Sequence, residues 1–340
     1  MEAHIIMITQ AGLTALFLAL VVQLSVSRAA DQPEPSTHAS ASPQRQPSAA
    51  NPTEPYSVVL GIAQDGGYPQ AGCRRECCAR AWRDPSQRRG VSCIAVVDPM
   101  AKERWLIDAT PDFREQLRAL DKLAPSSSVP GLTGIFLTHA HIGHYTGLMH
   151  LGREAIGARN VPVYAMPRMR EFLSNNGPWN QLVQLENIDL CSMCAEEPVA
   201  LNDRLTATPI PVPHRAEYSE TVGFRIQGPN RSVLYISDID KWERWDRPIE
   251  KLVAEVDVAY LDGTFFAEGE IPGRSMAEVP HPFIEESMKR FEALPRSDRA
   301  KIRFIHLNHT NPALRPDSAA HRQIERAGFR VAEIGERVGL

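Results

Sequence analysis

The stretch from Gly131 to Leu148 constrains the fold more than any other. Ile135-Phe136-Leu137 has the length and composition of a strand buried in a sheet, and it runs directly into Thr138-His139-Ala140-His141-Ile142-Gly143-His144. Three histidines within six positions therefore sit on a turn just past buried backbone. Imidazole is the commonest side-chain ligand for zinc and related divalent ions. A lone histidine is more often structural, but this density points to metal. His139 and His141, two apart on an extended turn, can face one cation, and His144 can reach in from the start of the next helix. A common metal-site pattern of this kind reads His-x-His-x-Asp-His, and here the aspartate position is Gly143.

The remaining ligands should come from distant segments that also end at strand edges. Ser57–Ile62 is an apolar run that ends in the turn-rich Gln64-Asp65-Gly66-Gly67. Cys93–Asp98 and Arg104–Asp108 read as a strand pair around a polar turn. Val161–Ala165 and Lys301–Leu307 read as strands, the latter carrying His306. Leu205–Val212 leads to His214, a hairpin over 219–237 ends at Asp238, and Val256–Leu261 ends at Asp262. Helical spacing appears in Pro111–Lys122, from about Thr146 to Ile156, and in His281–Glu292. Strands alternating with helices predict layered α/β packing. His214 and His306 are the next candidate ligands, with Asp238 placed to bridge two cations.

Composition excludes little beyond this. With 43% hydrophobic and 23% charged residues the chain is that of a globular protein. A net charge of -4, and no basic cluster interleaved with aromatics, give no reason to expect nucleic acid. A small-molecule substrate is expected, and a homodimer is left open.

The N-terminus reads as a targeting segment. No charge occurs from Ile5 to Val26, and Ser27-Arg28-Ala29 offers small residues for cleavage after Ala29. The first four residues lack Lys or Arg, so residues 1–29 are either a signal peptide or an N-terminal membrane anchor. Both imply export, periplasmic or extracellular. The linker at 30–55 should be disordered, because residues 31–55 hold six prolines and no large apolar residue. The folded domain is expected at 56–340.

Export bears on the cysteines. Cys93 lies in an apolar run and reads as core. Cys191 and Cys194 form a C-x-x-C with no second pair at zinc-finger spacing, which favours a local disulfide or two plain thiols.

Several stretches together resemble the metallo-β-lactamase superfamily, and more narrowly the branch containing pyrroloquinoline quinone biosynthesis protein B and the carbon-phosphorus-lyase-associated phosphodiesterase. They are Val59-Leu60-Gly61-Ile62-Ala63-Gln64-Asp65-Gly66-Gly67, Asp108-Ala109-Thr110-Pro111-Asp112, the histidine turn, Leu261-Asp262-Gly263-Thr264, and Ile305-His306-Leu307-Asn308-His309. The resemblance implies a four-layer αβ/βα sandwich with metals at one edge between the sheets. It implies that His139, His141 and His214 hold a first ion with Asp238 bridging, and that His144 and His306 hold a second. His281 would position substrate or donate a proton, and Asp262 would shape the pocket floor. Asp238, His281 and Asp262 are thus the implied catalytic residues.

The branch carries a structural zinc knot after its first strand. Cys73, Cys77 and Cys78 fall there, with Arg75 where a cysteine is expected and His309 available to complete a Cys₃His set. Disulfides among these thiols are the competing reading. Zn2+ is the foremost cofactor, as one or two ions, with Mn2+ or Fe2+ as alternatives.

These readings lead to metal-activated hydrolysis, with phosphodiesters or other esters foremost and β-lactams disfavoured. A role like that of pyrroloquinoline quinone biosynthesis protein B, on a peptide-derived precursor, is the second expectation. A binding protein with a degraded metal site is the third. Asp65, in the glycine-rich loop after the first strand, is the one carboxylate offered in place of the ligand missing at Gly143.

Overall fold

Apolar residues in the first strands alternate between two destinations. Val58 and Leu60 belong to one buried cluster and Val59 to another, while Cys93, Ala95 and Val97 part from Ile94 and Val96 in the same way. That period of two is the mark of a sheet covered on both faces. A computed structural model describes residues 53–273 and 275–340, so the expected targeting segment and most of the linker lie outside the described residues.

Two seven-stranded sheets result. The first contains β1 (Tyr56–Gly61), β2 (Cys93–Asp98), β3 (Glu103–Ile107), β4 (Gly134–Phe136), β5 (Val161–Ala165) and β6 (Ile188–Ser192). The second contains β7 (Val199–Ala200), β8 (Thr206–Pro211), β9 (Val222–Gln227), β10 (Ser232–Ile236), β11 (Val258–Asp262), β12 (Ile302–Ile305) and β13 (Arg330–Val331). The final strand, β14 (Arg337–Gly339), returns to pair with β1 and closes that edge of the first sheet.

Ile94, Trp105, Ile107 and Phe136 from the first sheet meet Ala207, Phe224 and Ile226 from the second, forming the layer between them. Phe113, Leu120, Met169 and Leu173 cover the outer face of the first sheet. Ile249, Val253, Ile284, Met288 and Ile324, all on helices, join the cluster of the second. Helices on sheet, sheet on sheet and sheet on helices make the expected four-layer αβ/βα sandwich.

Strand direction then sets where chemistry collects. β3 to β6 run parallel, as do β10 to β13. In open α/β sheets, ligands bind outside the carboxyl ends of such strands. The register pairs Ile107 with Phe136, Ile236 with Leu261, and Asp262 with Ile305. Asp108, the histidine turn, Asp238, Asp262 and His306 are thereby brought to one edge.

Two helices differ from expectation. Beyond the histidine turn a short helix covers Ile142–Tyr145, and a tight 3₁₀ segment, Thr146–Leu151, replaces the helix expected from Thr146 to Ile156. Gly147 explains the change: a Cβ there would stand 2.2 Å from the Thr110 carbonyl oxygen, so the backbone is pressed against the turn after β3. The second helix spans Ile284–Arg290 rather than His281–Glu292, leaving His281 on an extended segment before it.

Candidate metal centre

The histidine turn is held from below by buried polar contacts. The Thr138 amide and hydroxyl donate to Asp108 at 2.9 and 3.0 Å, and Asp108 is fully buried. Asp108 Oδ2 lies 2.7 Å from His144 Nδ1, which commits that nitrogen to the carboxylate and leaves Nε2 facing the centre. A histidine that gives its other ring nitrogen to a carboxylate is fixed in tautomer and orientation and becomes a better ligand. His139 Nδ1 likewise meets Thr138 Oγ1 at 3.0 Å, His214 Nδ1 meets Asp240 at 3.1 Å, and His306 Nδ1 meets Thr264 Oγ1 at 3.0 Å.

The free nitrogens converge in two groups around Asp238. His139 Nε2 lies 3.3 Å and His141 Nδ1 4.0 Å from Asp238 Oδ2, and His214 Nε2 lies 3.3 Å from Oδ1. The second group contains His144, His306 and Asp65. Asp65 Oδ1 is 3.3 Å from His144 Nε2 and 3.5 Å from His306 Nε2, while Asp238 Oδ2 stands 3.8 and 4.0 Å from the same nitrogens. In each group the candidate ligand atoms lie within 4.8 Å of one another. Asp238 thus has an oxygen directed at both.

Buried atoms test whether these residues fit a cation. Asp65 Oδ1, His144 Nε2, His214 Nε2, Asp238 Oδ1 and His306 Nε2 are all buried, and none makes a hydrogen bond of acceptable geometry. Their neighbours are near enough, but the atoms point at shared centres instead of at one another. Such groups cost about 1–3 kcal/mol each when left unsatisfied, and a divalent ion satisfies several together. The donor set of imidazoles and carboxylates suits zinc, with manganese or iron accommodated.

Electrostatics agree with that fit at Asp65, Asp238, His139 and His214. At His144 burial is outweighed by the Asp108 and Asp65 carboxylates, which raise the imidazole well above its ordinary value. Burial alone would raise the Asp65 carboxyl, but His144 and His306 beside it hold it well below the usual carboxylate range. Burial is likewise overcome at Asp238, where His214, His281 and His306 hold the carboxyl ionised. Burial lowers His139 well below an ordinary imidazole and lowers His214 less, so both stay neutral and able to coordinate. Two residues at this edge also carry backbone strain. Asp108 has φ +72° and His306 φ +65°, conformations that cost about 1–3 kcal/mol each in a side-chain-bearing residue. Each large apolar side chain buried beneath them returns about 1.5–3 kcal/mol, so the sandwich can carry the strain.

His281 stands on the other side of Asp238, its Nδ1 3.2 Å from Asp238 Oδ1 and 2.8 Å from Asp262 Oδ2. Burial works against its charge, yet the Asp262 and Asp238 carboxylates outweigh burial and raise it to about 9. Asp262 lies beneath the site, its carboxylate within 4.8 Å of ligand atoms of Asp238 and His281. It is fully buried, accepts hydrogen bonds from the Ile239 and Thr264 amides, and meets the site through His281 Nδ1 and through the Thr264 hydroxyl that also faces His306. Glu217, which meets His141 Nε2 at 3.2 Å, and Asp240, which meets His214, have no signal in the sequence. Asp108 is marked there only as a strand end and the start of a motif, not as a site residue.

The cysteines form a separate cluster. Cys73, Cys77, Cys78 and His309 bring their ligand atoms within 4.8 Å of one another, with Cys78 Sγ 3.3 Å and Cys77 Sγ 3.8 Å from His309 Nδ1. Cys77 and Cys78 start the helix Glu76–Arg83, and both turn toward His309. His309 lies on an irregular turn after β12. All six cysteines are free, so neither Cys191–Cys194 nor any pair in this cluster forms a disulfide. Cys191 lies on β6, Cys194 is exposed beyond it, and between them Met193 turns into the core.

Fold and site together define the αβ/βα sandwich of the metallo-β-lactamase class, with a His/Asp centre at the carboxyl ends of its strands. Residues 103–307 match the Beta-lactamase superfamily domain, and the chain belongs to that family. Among its relatives is Coenzyme PQQ synthesis protein B of Methylobacterium nodulans, 29% identical over 316 residues that cover 84% of this chain and 99% of the relative. The same protein of Xanthomonas campestris pv. campestris is 27% identical, with 83% and 99% covered. Zn(2+)-bound PqqB from Methylobacterium extorquens superposes with a TM-score of 0.70 at 25% identity, covering 84% of this chain and all of that one. A diphosphatase of the PhnP family shares the fold at a TM-score of 0.59 and 23% identity, covering 84% and 97%.

Proposed function

We propose that the chain is an exported metal-dependent hydrolase whose substrate is a small phosphodiester or another ester. The observation that carries this reading is the convergence of orphaned buried ligand atoms on both sides of Asp238, with His281 Nδ1 held between Asp238 and Asp262 alongside. His139, His141, His214 and Asp238 would hold one ion, and His144, His306 and Asp238 a second. A divalent cation, zinc foremost, supplies Lewis acidity and lowers the pKa of water from about 15.7 toward about 7. Asp238 stays ionised and orients the attacking group by accepting its hydrogen bond. His281, kept protonated by Asp262, gives a proton to the leaving oxygen. Cys73, Cys77, Cys78 and His309 would hold a structural zinc that would tie the loop after β1 to the turn after β12.

The similarity to Coenzyme PQQ synthesis protein B over nearly that protein's whole length supports a second reading, a metalloenzyme of coenzyme synthesis acting on a peptide-derived precursor. One experiment separates the two. The purified chain is loaded with zinc, manganese or iron and screened against bis-aryl phosphates, lactones and β-lactams. The hydrolase reading expects turnover of an ester class that His139→Ala removes. Turnover unchanged in His139→Ala ends it, and iron-dependent redox chemistry without hydrolysis favours the second reading. The N-terminal segment as signal or anchor belongs to this proposal, as does any homodimer. No helix among the described residues is long and apolar enough to cross a membrane.

A further inference from the structure

A glycine inside a short helix calls for a reason, since it costs about 0.5–1 kcal/mol against alanine. Gly143 sits in the helix Ile142–Tyr145, between the histidines of the turn, and is buried. A Cβ at 143 would stand 2.1 Å from Asp65 Oδ1 and 2.7 Å from Asp65 Cα, closer than any side chain can approach. The space that a residue at 143 would fill is therefore taken by the Asp65 carboxylate.

The geometry points to a relocated metal ligand: Asp65, from the loop after β1, supplies to the second ion the carboxylate that the histidine turn lacks, and Gly143 is the opening that admits it. This rests on the metal-dependent reading above. Asp65 Oδ1 is buried, has no hydrogen-bond partner, and lies 3.3 and 3.5 Å from the two imidazole nitrogens that share its fate. The loop is not free to move away. The Gln64 amide donates to the Leu307 carbonyl at 2.9 Å, the Leu307 amide donates to the Ile62 carbonyl at 2.8 Å, and the Asn308 side chain binds that of Gln64. Asp65 and His306 are thus carried by two backbone segments bonded to each other. Two imidazoles, one carboxylate and the shared Asp238 make a complete second set of the same charge as one with an aspartate at 143. The two-ion centre is intact, with its carboxylate delivered from the opposite wall.

The relocation also gives the ligand a new dependence. Asp65 stands eight residues before Cys73, and His306 three before His309, so the segments bearing two second-site ligands are those the cysteine cluster joins. An aspartate on the histidine turn would have no such link.

The test counts metal. Zinc bound per full-length chain is measured by plasma emission and by calorimetric titration for wild type, Asp65→Asn, Gly143→Asp and the exchanged pair Asp65→Gly/Gly143→Asp. Relocation expects Asp65→Asn to lose one ion while keeping the others, or to bind it at least about tenfold more weakly. It expects Gly143→Asp alone to lose that ion and melt earlier from the clash, and the exchanged pair to regain it. Asp65→Asn with the wild-type complement and affinity overturns it. Should the variants fail to fold, anomalous diffraction from zinc-soaked wild-type crystals decides. An Asp65 oxygen about 2.0–2.2 Å from the second ion supports the proposal, and one beyond about 3 Å overturns it. Metal counts stand whether or not any ester is turned over, so failure of the hydrolase reading would show separately, in the His139→Ala activity.

Discussion

Asp108 Oδ2 and His144 Nδ1 lie 2.7 Å apart, both fully buried, and this contact decides which nitrogen of His144 faces the second site. An amide at 108 keeps the shape but loses the charge that favours the required tautomer. We expect Asp108→Asn to weaken the second ion of the His/Asp centre by about 10–100-fold, leaving the first nearly unchanged. Competition with a chromogenic chelator measures both affinities, and equal affinity in the variant would refute the assignment.

His281→Gln should leave the metal content intact and lower kcat by about 10²–10⁴, the range for loss of a positioned general acid. Asp262→Asn should give a loss of the same kind, because the Asp262 carboxylate holds His281 Nδ1 at 2.8 Å. A loss of metal in His281→Gln would instead make His281 a ligand.

Cys78→Ser should remove one zinc from the chain and destabilise the sandwich by more than about 3 kcal/mol in chelator-free unfolding. Burial pushes the Cys78 thiol up to about 12 and raises Cys77 as well, so zinc must displace their protons. Affinity at this cluster should therefore fall as pH falls, with proton release visible when calorimetry is repeated in buffers of different ionisation enthalpy.

Glu270 is pushed up to about 7 by burial, against hydrogen bonds from the Thr310 hydroxyl and the Phe266 amide. The folded state holds this proton more tightly than the unfolded chain. Its contribution is full below about 4.5 and is lost as pH rises through about 7. Denaturant midpoints should fall between pH 5 and pH 8 by an increment that Glu270→Gln removes, at most about 3 kcal/mol and less for its partial exposure. An unchanged slope in the variant would assign the pH dependence elsewhere.

Gly147→Ala would press a methyl against the Thr110 carbonyl, which a Cβ would meet at 2.2 Å. A loss of about 1–3 kcal/mol in stability is expected, with weaker metal binding because the same turn carries Asp108. Thermal melts with and without zinc would separate the two effects.

Strand ends were legible without the structure because their signal is local. A short apolar run followed within a few residues by His or Asp places that side chain at a sheet edge whatever the rest of the chain does. Hence His139, His141, His144, His214, Asp238 and His306 could all be named from their own surroundings. The helix expected after the histidine turn is shortened by a contact between segments far apart in the chain, the Gly147 amide donating to the Ala109 carbonyl at 2.9 Å. For Asp262, strand position tells that it comes last on β11, not that His281 and Thr264 pack over it.

What the sequence determined by itself was the class of fold, the chemistry of the ligands and the gap at Gly143, since composition and spacing are properties of short segments. Only the tertiary structure decided how that gap is used. Whether a carboxylate from the loop after β1 lands 3.3 Å from His144 depends on how β1 and β12 come together across the layers, and no run of neighbouring residues encodes that distance.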